Sequence, residues 1–322
     1  MKAHKFSRSR KAVAGYYLRY YFEPEFLFRP TQIFRHLGYV LNPNGEEFLN
    51  VALPWGSSIR VRQNEYIGRN IRNKGLYDIV ICEVISRLLD KGECAMDVGA
   101  NIGQMTSLMA AKVGIKGKVI AFEPHPEIAE ELRHNVCTDT CGGRVSVEQV
   151  ALGDHDGEAV LGIPNNFSAN RGLASLISSD DLPPNETSVG EVVQLRRLDH
   201  IVEQTEQVAL MKIDVEGHEL GVLEGATALI RNGGIRDILF EDHAKDPYET
   251  PVAHFFREQG YTLFYLSRNM FGLKVGDLGR GKHELRGAAY YNCLATINPE
   301  RALARLRASG WSVLKVNHAS LV

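Results

Sequence analysis

The sequence ECAMDVGANIGQMT, residues 93–106, decides the fold prediction, because it runs from an apolar strand through a glycine-containing turn into a helix. Gly99 lets the backbone turn sharply as it leaves the strand. Gly103 removes a side chain where the new helix passes close to the strand or a ligand. The first amides of such a helix have no partner inside it and point at whatever occupies the turn. The stretch therefore predicts a ligand site, with a tight turn that binds nothing as the alternative.

The next apolar run, KVIAFE, ends at Glu123. This acid lies about as far beyond Gly99 as a nucleotide-binding βαβ unit places the carboxylate that accepts hydrogen bonds from ribose hydroxyls. A pyrophosphate dinucleotide usually requires three glycines, and the turn DVGANIG holds only two. Asp97, at the strand end, suits the cationic part of S-adenosylmethionine better than a pyrophosphate. The two segments together favour S-adenosylmethionine over a dinucleotide.

Several ordered motifs resemble the FkbM family of S-adenosylmethionine-dependent methyltransferases. They are DVGANIGQMT (97–106), AFEPHP (121–126), VALGD (150–154), LRRLDHI (195–201), MKIDVEGHELGVLEGA (211–226) and ILFE (238–241). The resemblance covers roughly residues 60–270, and motifs in a coherent order are far more specific than any one of them. It implies S-adenosylmethionine as cofactor and methylation, mostly of oxygen, on a sugar, glycolipid or polyketide hydroxyl.

Strand-like and helix-like runs alternate through the middle of the chain, which predicts an α/β fold with a doubly wound, mostly parallel sheet. This is the Rossmann-like, class I methyltransferase type, here with an antiparallel closing strand and an N-terminal extension. The predicted core strands are 94–98, 118–123, 145–152, 208–214 and 235–242, and the closing pair is 262–267 with 290–297. The predicted helices include 31–38, 77–89, 105–113, 126–135, 216–231 and 252–259.

The predicted organisation has three parts. Residues 1–75 form a basic and aromatic extension with a small cap that contains a hairpin of 47–53 and 58–62. Residues 76–298 form the cofactor-binding domain, and residues 299–322 form a C-terminal helix and tail. Residues 153–190 are rich in Asn, Ser and Pro and are predicted to be an irregular insertion. A long insertion in a compact domain is usually a functional lid or disordered. Because it follows the third strand, we assign it to the acceptor pocket.

Ligands bind outside the carboxyl ends of the strands in an open parallel sheet, so residues at those ends are expected to share one crevice. The predicted cofactor-binding residues are Asp97, Gly99, Asn101 and Gly103 for the methionyl part and ribose, Glu123 for the ribose diol, and Ala151, within 150–152, beside the adenine.

Methyl transfer to an alcohol requires a group that aligns the acceptor and a base that removes its proton. Asp214 ends the fourth strand and His218 follows in the next turn, so we expect Asp214 to orient the acceptor and His218 to take the proton. Glu241, after the fifth strand, is expected to hold a second hydroxyl. A helix-surface role is the alternative for His218. Catechol-type O-methyltransferases bind Mg²⁺ with one acid after the fourth strand and an acid–amide pair after the fifth. Asp214, Glu241 and Asp242 resemble this set, with Asp in place of the amide. Because the FkbM motifs require no metal, Mg²⁺ is kept as an alternative that is not favoured.

Residues 1–22 carry six cationic side chains and no acid, although the whole chain has a net charge of −2. Aromatic residues follow, so residues 1–28 are expected either to contact an anionic membrane surface or to pack on the domain or on a second copy. Nothing else suggests a nucleic-acid surface, and the five cysteines complete no zinc set. A cytoplasmic protein, with membrane association through the arm as an option, is the expectation. The alternatives are a dinucleotide oxidoreductase and an inactive cofactor-binding or membrane-docked subunit.

Overall fold

The computed structural model describes residues 20–41, 47–137, 143–164, 167–177, 189–242, 244, 247–278 and 291–315. The basic arm up to residue 19, Cys141, and the DDLPPNE part of the predicted insertion lie outside these residues. The helices are α1 Pro24–Leu27, α2 Thr31–Leu41, α3 Tyr66–Lys74, α4 Ile79–Leu88, α5 Gln104–Val113, α6 Pro126–Val136, α7 Leu198–Ile201, α8 Glu219–Gly225, α9 Thr227–Arg231, α10 Pro251–Glu258 and α11 Pro299–Leu306. The strands are β1 Phe48–Ala52, β2 Ser58–Arg62, β3 Cys94–Val98, β4 Lys118–Phe122, β5 Val145–Glu148, β6 Ala151–Leu152, β7 Gly157–Ile163, β8 Ser175–Ile177, β9 Val189–Arg196, β10 Val208–Ile213, β11 Ile235–Asp242, β12 Thr262–Asn269, β13 Gly272–Asp277 and β14 Tyr291–Thr296.

The large sheet of the described residues has the strand order β13-β12-β14-β11-β10-β3-β4-β5. The strands from β11 to β5 are parallel to one another, and β14 runs antiparallel between β11 and β12. The central strands β3 and β10 are buried along their whole length, as strands covered on both faces must be. The predicted doubly wound, mostly parallel sheet with an antiparallel closing strand is confirmed.

Helices cover both faces of this sheet, and each face has its own apolar core. One core joins α4, α5 and α11 to the sheet through side chains such as Ile85, Leu108 and Leu306. The other joins α8, α9 and α10 to the opposite face, with Leu223 and Phe256 fully buried. Burying side chains of this size contributes about 1.5–3 kcal/mol each, so both layers hold the strand ends in fixed positions.

A second sheet follows the parallel core, with the order β6-β9-β7-β8. Two predictions were wrong here. The expected strand 145–152 is divided, because the chain leaves β4 after Glu148 and Ala151 pairs instead with Leu195 of β9. The expected irregular insertion 153–190 contains β7, which pairs antiparallel with β9 along seven residues, and β8. Backbone pairing therefore makes the described part of this region a small sheet, and its residues 170–172 and 174–176 line the cleft, in keeping with their assignment to the acceptor pocket.

Three helix predictions also need correction. Helix α2 continues through Gly38 to Leu41, and a side chain at Gly38 would meet nothing within 4 Å, so this glycine does not end the helix. The predicted helix 216–231 begins only at Glu219, because Gly217 has a φ of 101°, and it is divided at Ala226. Helix α4 begins at Ile79 rather than residue 77. The predicted hairpin of β1 and β2 is present, whereas helix α3 was not predicted.

The C-terminal segment is attached to α4 and to the β12–β13 hairpin. Arg87 donates to the carbonyl oxygens of residues 305, 306, 308 and 310, and the Glu83 carboxylate accepts from the backbone amides of Ser312 and Val313. Glu83 is fully buried and also pairs with Arg87. Gly310 forms a parallel bridge with Gly272 at the start of β13, which is the edge strand of the large sheet.

Candidate active site

The carboxyl ends of four parallel strands lie at one level of the sheet. Val98 of β3 lies beside both Phe122 and Ile213, and Ile213 lies beside Phe240 of β11. The residue that follows each of these four positions therefore lies at the same edge of the sheet. These residues are Gly99, Glu123, Asp214 and Glu241. The strand register thus brings together most of the chemistry that the sequence predicts.

The turn after β3 leaves no room for a side chain at Gly99. This residue has a φ of 72°, and a Cβ there would overlap the carbonyl oxygen of Asp214. The amides of Gly99 and Ala100 both donate to the Phe122 carbonyl oxygen at 3.0 Å, so the turn is fixed to the end of β4. Asn101 also has a positive φ, 49°. Close contact between β3, β4 and β10 is therefore the physical reason for the glycine.

Glu123 is buried at the end of β4 and is only 6% exposed. Its carboxylate accepts from the Asn101 amide at 2.9 Å and from the His125 amide at 3.0 Å. Burial raises the pKa of Glu123 to about 7, and these hydrogen bonds oppose the rise. A carboxylate oxygen has two acceptor sites, so each oxygen can take one more donor from the cleft. Glu123 is placed to accept from hydroxyl groups.

Lys212 connects three groups beneath the cleft. Its ammonium lies 3.4 Å from Asp97 Oδ1, 3.3 Å from Asp214 Oδ2 and 3.2 Å from the Gly99 carbonyl oxygen. Asp97 is its direct neighbour across the β3–β10 register. Burial disfavours the charge of Lys212, but the two carboxylates outweigh burial and raise its pKa. This ion pair fixes the orientation of Asp214 at the edge of the cleft.

Asp97 and Gly103, both predicted to bind the cofactor, do not line the cleft. Asp97 is fully buried, and its Oδ2 accepts from the Thr106 hydroxyl at 2.6 Å. A Cβ at Gly103 would lie 2.6 Å from Leu132 Cδ1, so this glycine permits α5 to pack against α6. Both residues support the turn from behind, and their expected part in cofactor binding stays a prediction.

The cleft above the strand ends encloses about 1220 Å³, its open mouth included. Its walls combine apolar side chains of the β4 and β6 region with polar groups from seven different parts of the chain. The polar and charged side chains of the lining are Tyr66, Tyr77, Asn101, Gln104, Glu123, Asn170, Arg171, Ser175, Lys212, Asp214, Glu216, His218 and Glu241. Ala151, predicted to border the adenine, lies in the apolar wall between Val150 and Leu152.

Glu241 is a partly buried carboxylate of the lining whose pKa is strongly raised. Burial, followed by the negative charges of Asp214 and Asp78, raises the pKa of Glu241 to about 8, while Lys212 acts in the opposite direction. Within the described part of the chain, no donor lies within hydrogen-bond distance of this carboxylate. A partly buried carboxylate without a donor is available to an incoming hydroxyl group.

His218 is the residue before α8, rather than part of its first turn. Its Nε2 atom is buried without a hydrogen-bond partner among the described residues. A Cβ at Gly153 would lie 3.1 Å from this nitrogen, and a Cβ at Gly221 would be closer still. The imidazole ring of His218 therefore packs on Gly153 and Gly221. Its Nε2 atom is directed into the protein, whereas other atoms of His218 line the cleft.

The three acids of the catechol-type metal pattern do not converge. Asp242 lies on the opposite face of β11 from Glu241, because successive side chains of a strand alternate. Its carboxylate accepts from the Ala244 amide at 2.8 Å and from the Thr250 hydroxyl at 2.9 Å. The described residues contain no group of three His, Cys, Asp or Glu side chains arranged to hold a metal ion.

Lys212, Gln104 and Arg171 belong to the site although the sequence analysis did not select them. A lysine inside an otherwise apolar strand is rarely buried without a partner, so Lys212 in VALMKI was a usable signal. The Gln104 side chain accepts from the backbone amide of Tyr77 at 2.6 Å and donates to the Tyr77 carbonyl oxygen at 2.8 Å. Arg171 pairs with Glu131 at 2.6 Å. No local pattern distinguishes these last two residues.

The strand order and the cleft at the carboxyl ends of the parallel strands define a class I methyltransferase fold. Residues 97–263, more than half of the chain, match the methyltransferase FkbM domain, and the chain belongs to this family. The resemblance inferred from the motifs is thereby confirmed. Among the described residues, no helix is both long enough and apolar enough to cross a lipid bilayer.

Two curated relatives match over 167 residues each. The hexuronic acid methyltransferase AglP of Haloferax volcanii is 30% identical, with 50% of this chain and 62% of AglP covered. The methyltransferase sdnD of Sordaria araneosa is 28% identical, with 42% of this chain and 63% of sdnD covered. The chain thus spans less than two thirds of the length of these relatives.

Solved structures show weaker similarity. The METTL16 MTase domain is 12% identical, with a TM-score of 0.41 and coverage of 75% of this chain and 73% of that domain. The precorrin-6y C5,15-methyltransferase of Geobacter metallireducens is 16% identical, with a TM-score of 0.36 and coverage of 68% of this chain and 87% of the other.

Proposed function

We propose that the protein is an S-adenosylmethionine-dependent O-methyltransferase whose acceptor is a hydroxyl group of a sugar or glycolipid. The observation that carries this proposal is the arrangement of Glu123, Asp214 and Glu241 at one level of the strand ends, around the Gly99 turn. One carboxylate suits a ribose, and the other two suit a hydroxyl acceptor beside a cationic donor. The similarity to AglP, a hexuronic acid methyltransferase, is consistent with a sugar acceptor.

The residues of the cleft fit S-adenosylmethionine. Glu123 has free acceptor capacity for the ribose diol, and Val150, Ala151 and Leu152 offer an apolar surface for the adenine. Asp214 provides negative charge for the sulfonium and ammonium groups. The bound cofactor supplies a methyl group activated by a positive sulfur. A dinucleotide is disfavoured, because the turn lacks a third glycine and the cleft edge is acidic.

We assign the proton-accepting role to Glu241. Its carboxylate lines the cleft and takes no donor from the described residues, and its pKa of about 8 is close to the working range of a general base. Asp214, held by Lys212, orients the acceptor hydroxyl. The prediction that His218 takes the proton stays a prediction, and the buried Nε2 atom argues for a packing role instead.

The charge of the cleft favours a neutral acceptor. Asp214 and Glu241 face the same space, and the single cation Lys212 is shared by the carboxylates of Asp97 and Asp214, so this group carries net negative charge. Arg171, the other cation of the lining, is paired with Glu131. An acceptor with a carboxylate of its own would meet the net negative charge of this group, whereas a neutral sugar offers hydroxyl donors to Asp214 and Glu241. We therefore expect a neutral sugar to be preferred over a uronic acid.

Two measurements test this proposal. S-adenosylhomocysteine should raise the melting temperature, as does any ligand selective for the native state, and NAD should not. Release of S-adenosylhomocysteine should then be followed with neutral glycosides and with the matching uronic acids. Stabilisation by NAD alone would overturn the cofactor assignment and favour an oxidoreductase. Cofactor binding with no turnover on any hydroxyl acceptor would favour an inactive binding subunit.

A further inference from the structure

The surface formed by the N-terminal helices and the neighbouring hairpin tip is unusually apolar. We call it the N-terminal apolar face. Its members are Phe22, Leu27, Phe28, Phe34, Leu37, Leu41, Met270 and Phe271. The described part of the chain has five other large apolar side chains that are exposed. They are dispersed along the chain, from Tyr66 to Ile297. Isolated exposed apolar residues are ordinary, whereas a group of eight marks an interaction surface.

Helix α2 has two different sides. Phe34, Leu37 and Leu41 are spaced three and four residues apart, so they lie on one side, and Phe34 and Leu41 are 75% and 84% exposed. The opposite side is buried. Gln32 donates to the backbone of α3 at 3.0 and 3.1 Å, and the His36 ring packs 5.5 Å from that of Tyr20. The helix is therefore anchored by one side and presents the other to its surroundings.

The hairpin between β12 and β13 extends the same surface. Arg268 at the end of β12 contacts the Glu25 carboxylate at 3.1 Å and lies 3.6 Å from that of Glu23. These ion pairs hold α1 beside the tip that carries Met270 and Phe271, the latter 68% exposed. Residues distant in sequence are thus fixed side by side.

The charges around this face are positive. Residues 20–41 contain two acids, Glu23 and Glu25. Glu23 pairs with Lys74 and Arg268, and Glu25 pairs with Arg268. Arg35 is exposed on α2. The sequence up to residue 22 adds six cationic side chains and no acid. An apolar surface with this flanking charge is complementary to anionic lipid, which attracts each nearby Lys or Arg by about 1 kcal/mol.

We propose that the N-terminal apolar face docks on an anionic membrane surface, with its aromatic and leucine side chains in the headgroup region. A second copy of the chain fits less well. A two-fold interface would place the same face, with the exposed Arg35 of each copy, against itself. Anionic lipid neutralises that charge and covers the apolar side chains together.

Helix α2, which carries part of the docking face, is connected to the cleft through α3. The C-terminal end of α3 accepts the hydrogen bonds of Gln32, and its N-terminal residues Tyr66 and Ile67 line the cleft. A nine-residue helix is about 12–14 Å long at 1.5 Å per residue.

Vesicle co-sedimentation of the full chain tests the docking proposal without any use of methyl transfer. Vesicles of phosphatidylcholine alone are compared with vesicles that contain phosphatidylserine, at low and at high salt. We expect binding at least about 10-fold tighter with phosphatidylserine, and weaker binding as salt increases. Phe34→Ser combined with Leu41→Ser should weaken it by at least about 20-fold, since two inserted side chains are lost. Ile115→Ser, at a site that is 85% exposed elsewhere, is the matched control and should bind normally.

Several results would overturn the proposal. Absence of binding to phosphatidylserine vesicles would do so, as would equal binding by the double variant and the unsubstituted protein. A concentration-dependent dimer in light scattering that the double variant abolishes, without vesicle binding, would assign the face to a second copy. Thermal unfolding of each variant shows that the fold is retained, which is expected at such exposed positions.

Discussion

Replacement of Glu241 by glutamine tests the proposed base most directly. With a pKa of about 8, only about one tenth of this carboxylate is ionised at pH 7. Because the pKa of Glu241 in the folded protein lies above its ordinary value, this carboxylate gains its proton as the pH falls through about 8. Activity that needs the ionised carboxylate is lost over the same pH range. The value of kcat/KM for the cofactor should therefore rise about 10-fold between pH 7 and the plateau above pH 9.

Glu241→Gln keeps the shape of the side chain but cannot take a proton. Turnover should fall by about 10²–10⁴-fold, and the rise of rate near pH 8 should disappear. The assay is release of S-adenosylhomocysteine between pH 6 and pH 9.5. Glu216→Gln, the same charge change in the same cleft, is the control and should cost less than about 10-fold. If Glu241→Gln retains both its rate and its pH profile, the reasoning is refuted, and a loss confined to His218→Ala would identify the histidine as the base.

Three further predictions concern the cofactor site and its support. Lys212→Met should lower the free energy of unfolding by about 3–5 kcal/mol in urea titrations, because the fully buried carboxylate of Asp97 loses its partner. Lys118→Met, at the surface, should change this free energy by less than about 0.5 kcal/mol. Glu123→Gln should weaken S-adenosylhomocysteine about 10–100-fold in calorimetry, and an unchanged affinity would contradict the ribose assignment. Gly99→Ala should destabilise the folded protein far more than Gly92→Ala. Both glycines have a positive φ, but of the two only Gly99 faces a backbone oxygen. Equal unfolding midpoints for the two variants would contradict the steric argument.

The sequence was sufficient to predict the parallel core, because its strands are short apolar runs that end in distinctive residues. The Gly99 turn and the acids Glu123, Asp214 and Glu241 could be located for the same reason: each follows an apolar run directly. Parallel pairing then requires these ends to lie at one edge. The position of this part of the candidate site follows from local pattern together with one topological rule.

The small second sheet and the role of Lys212 could not be predicted in this way. Strand β7 is paired with β9 across a long sequence separation, and its sequence GEAVLGI has no clear alternation of apolar and polar residues. Lys212 is important because Asp97 lies beside it in the neighbouring strand, which only the register reveals. Asp97 itself was assigned to the cofactor because its position at the strand end is visible in the sequence, whereas its burial is not.

The bridge between Gly272 and Gly310 has a consequence for how the protein behaves when it is shortened. Strand β13 is the last strand on its side of the large sheet, and an unprotected edge strand can pair with that of another molecule and lead to aggregation. The segment around Gly310 covers the start of this strand, and Trp311 secures it through the Met270 carbonyl oxygen at 3.1 Å. A protein truncated before residue 310 would keep every residue of its cleft and still be prone to aggregate, so a loss of soluble yield should not be mistaken for a catalytic defect.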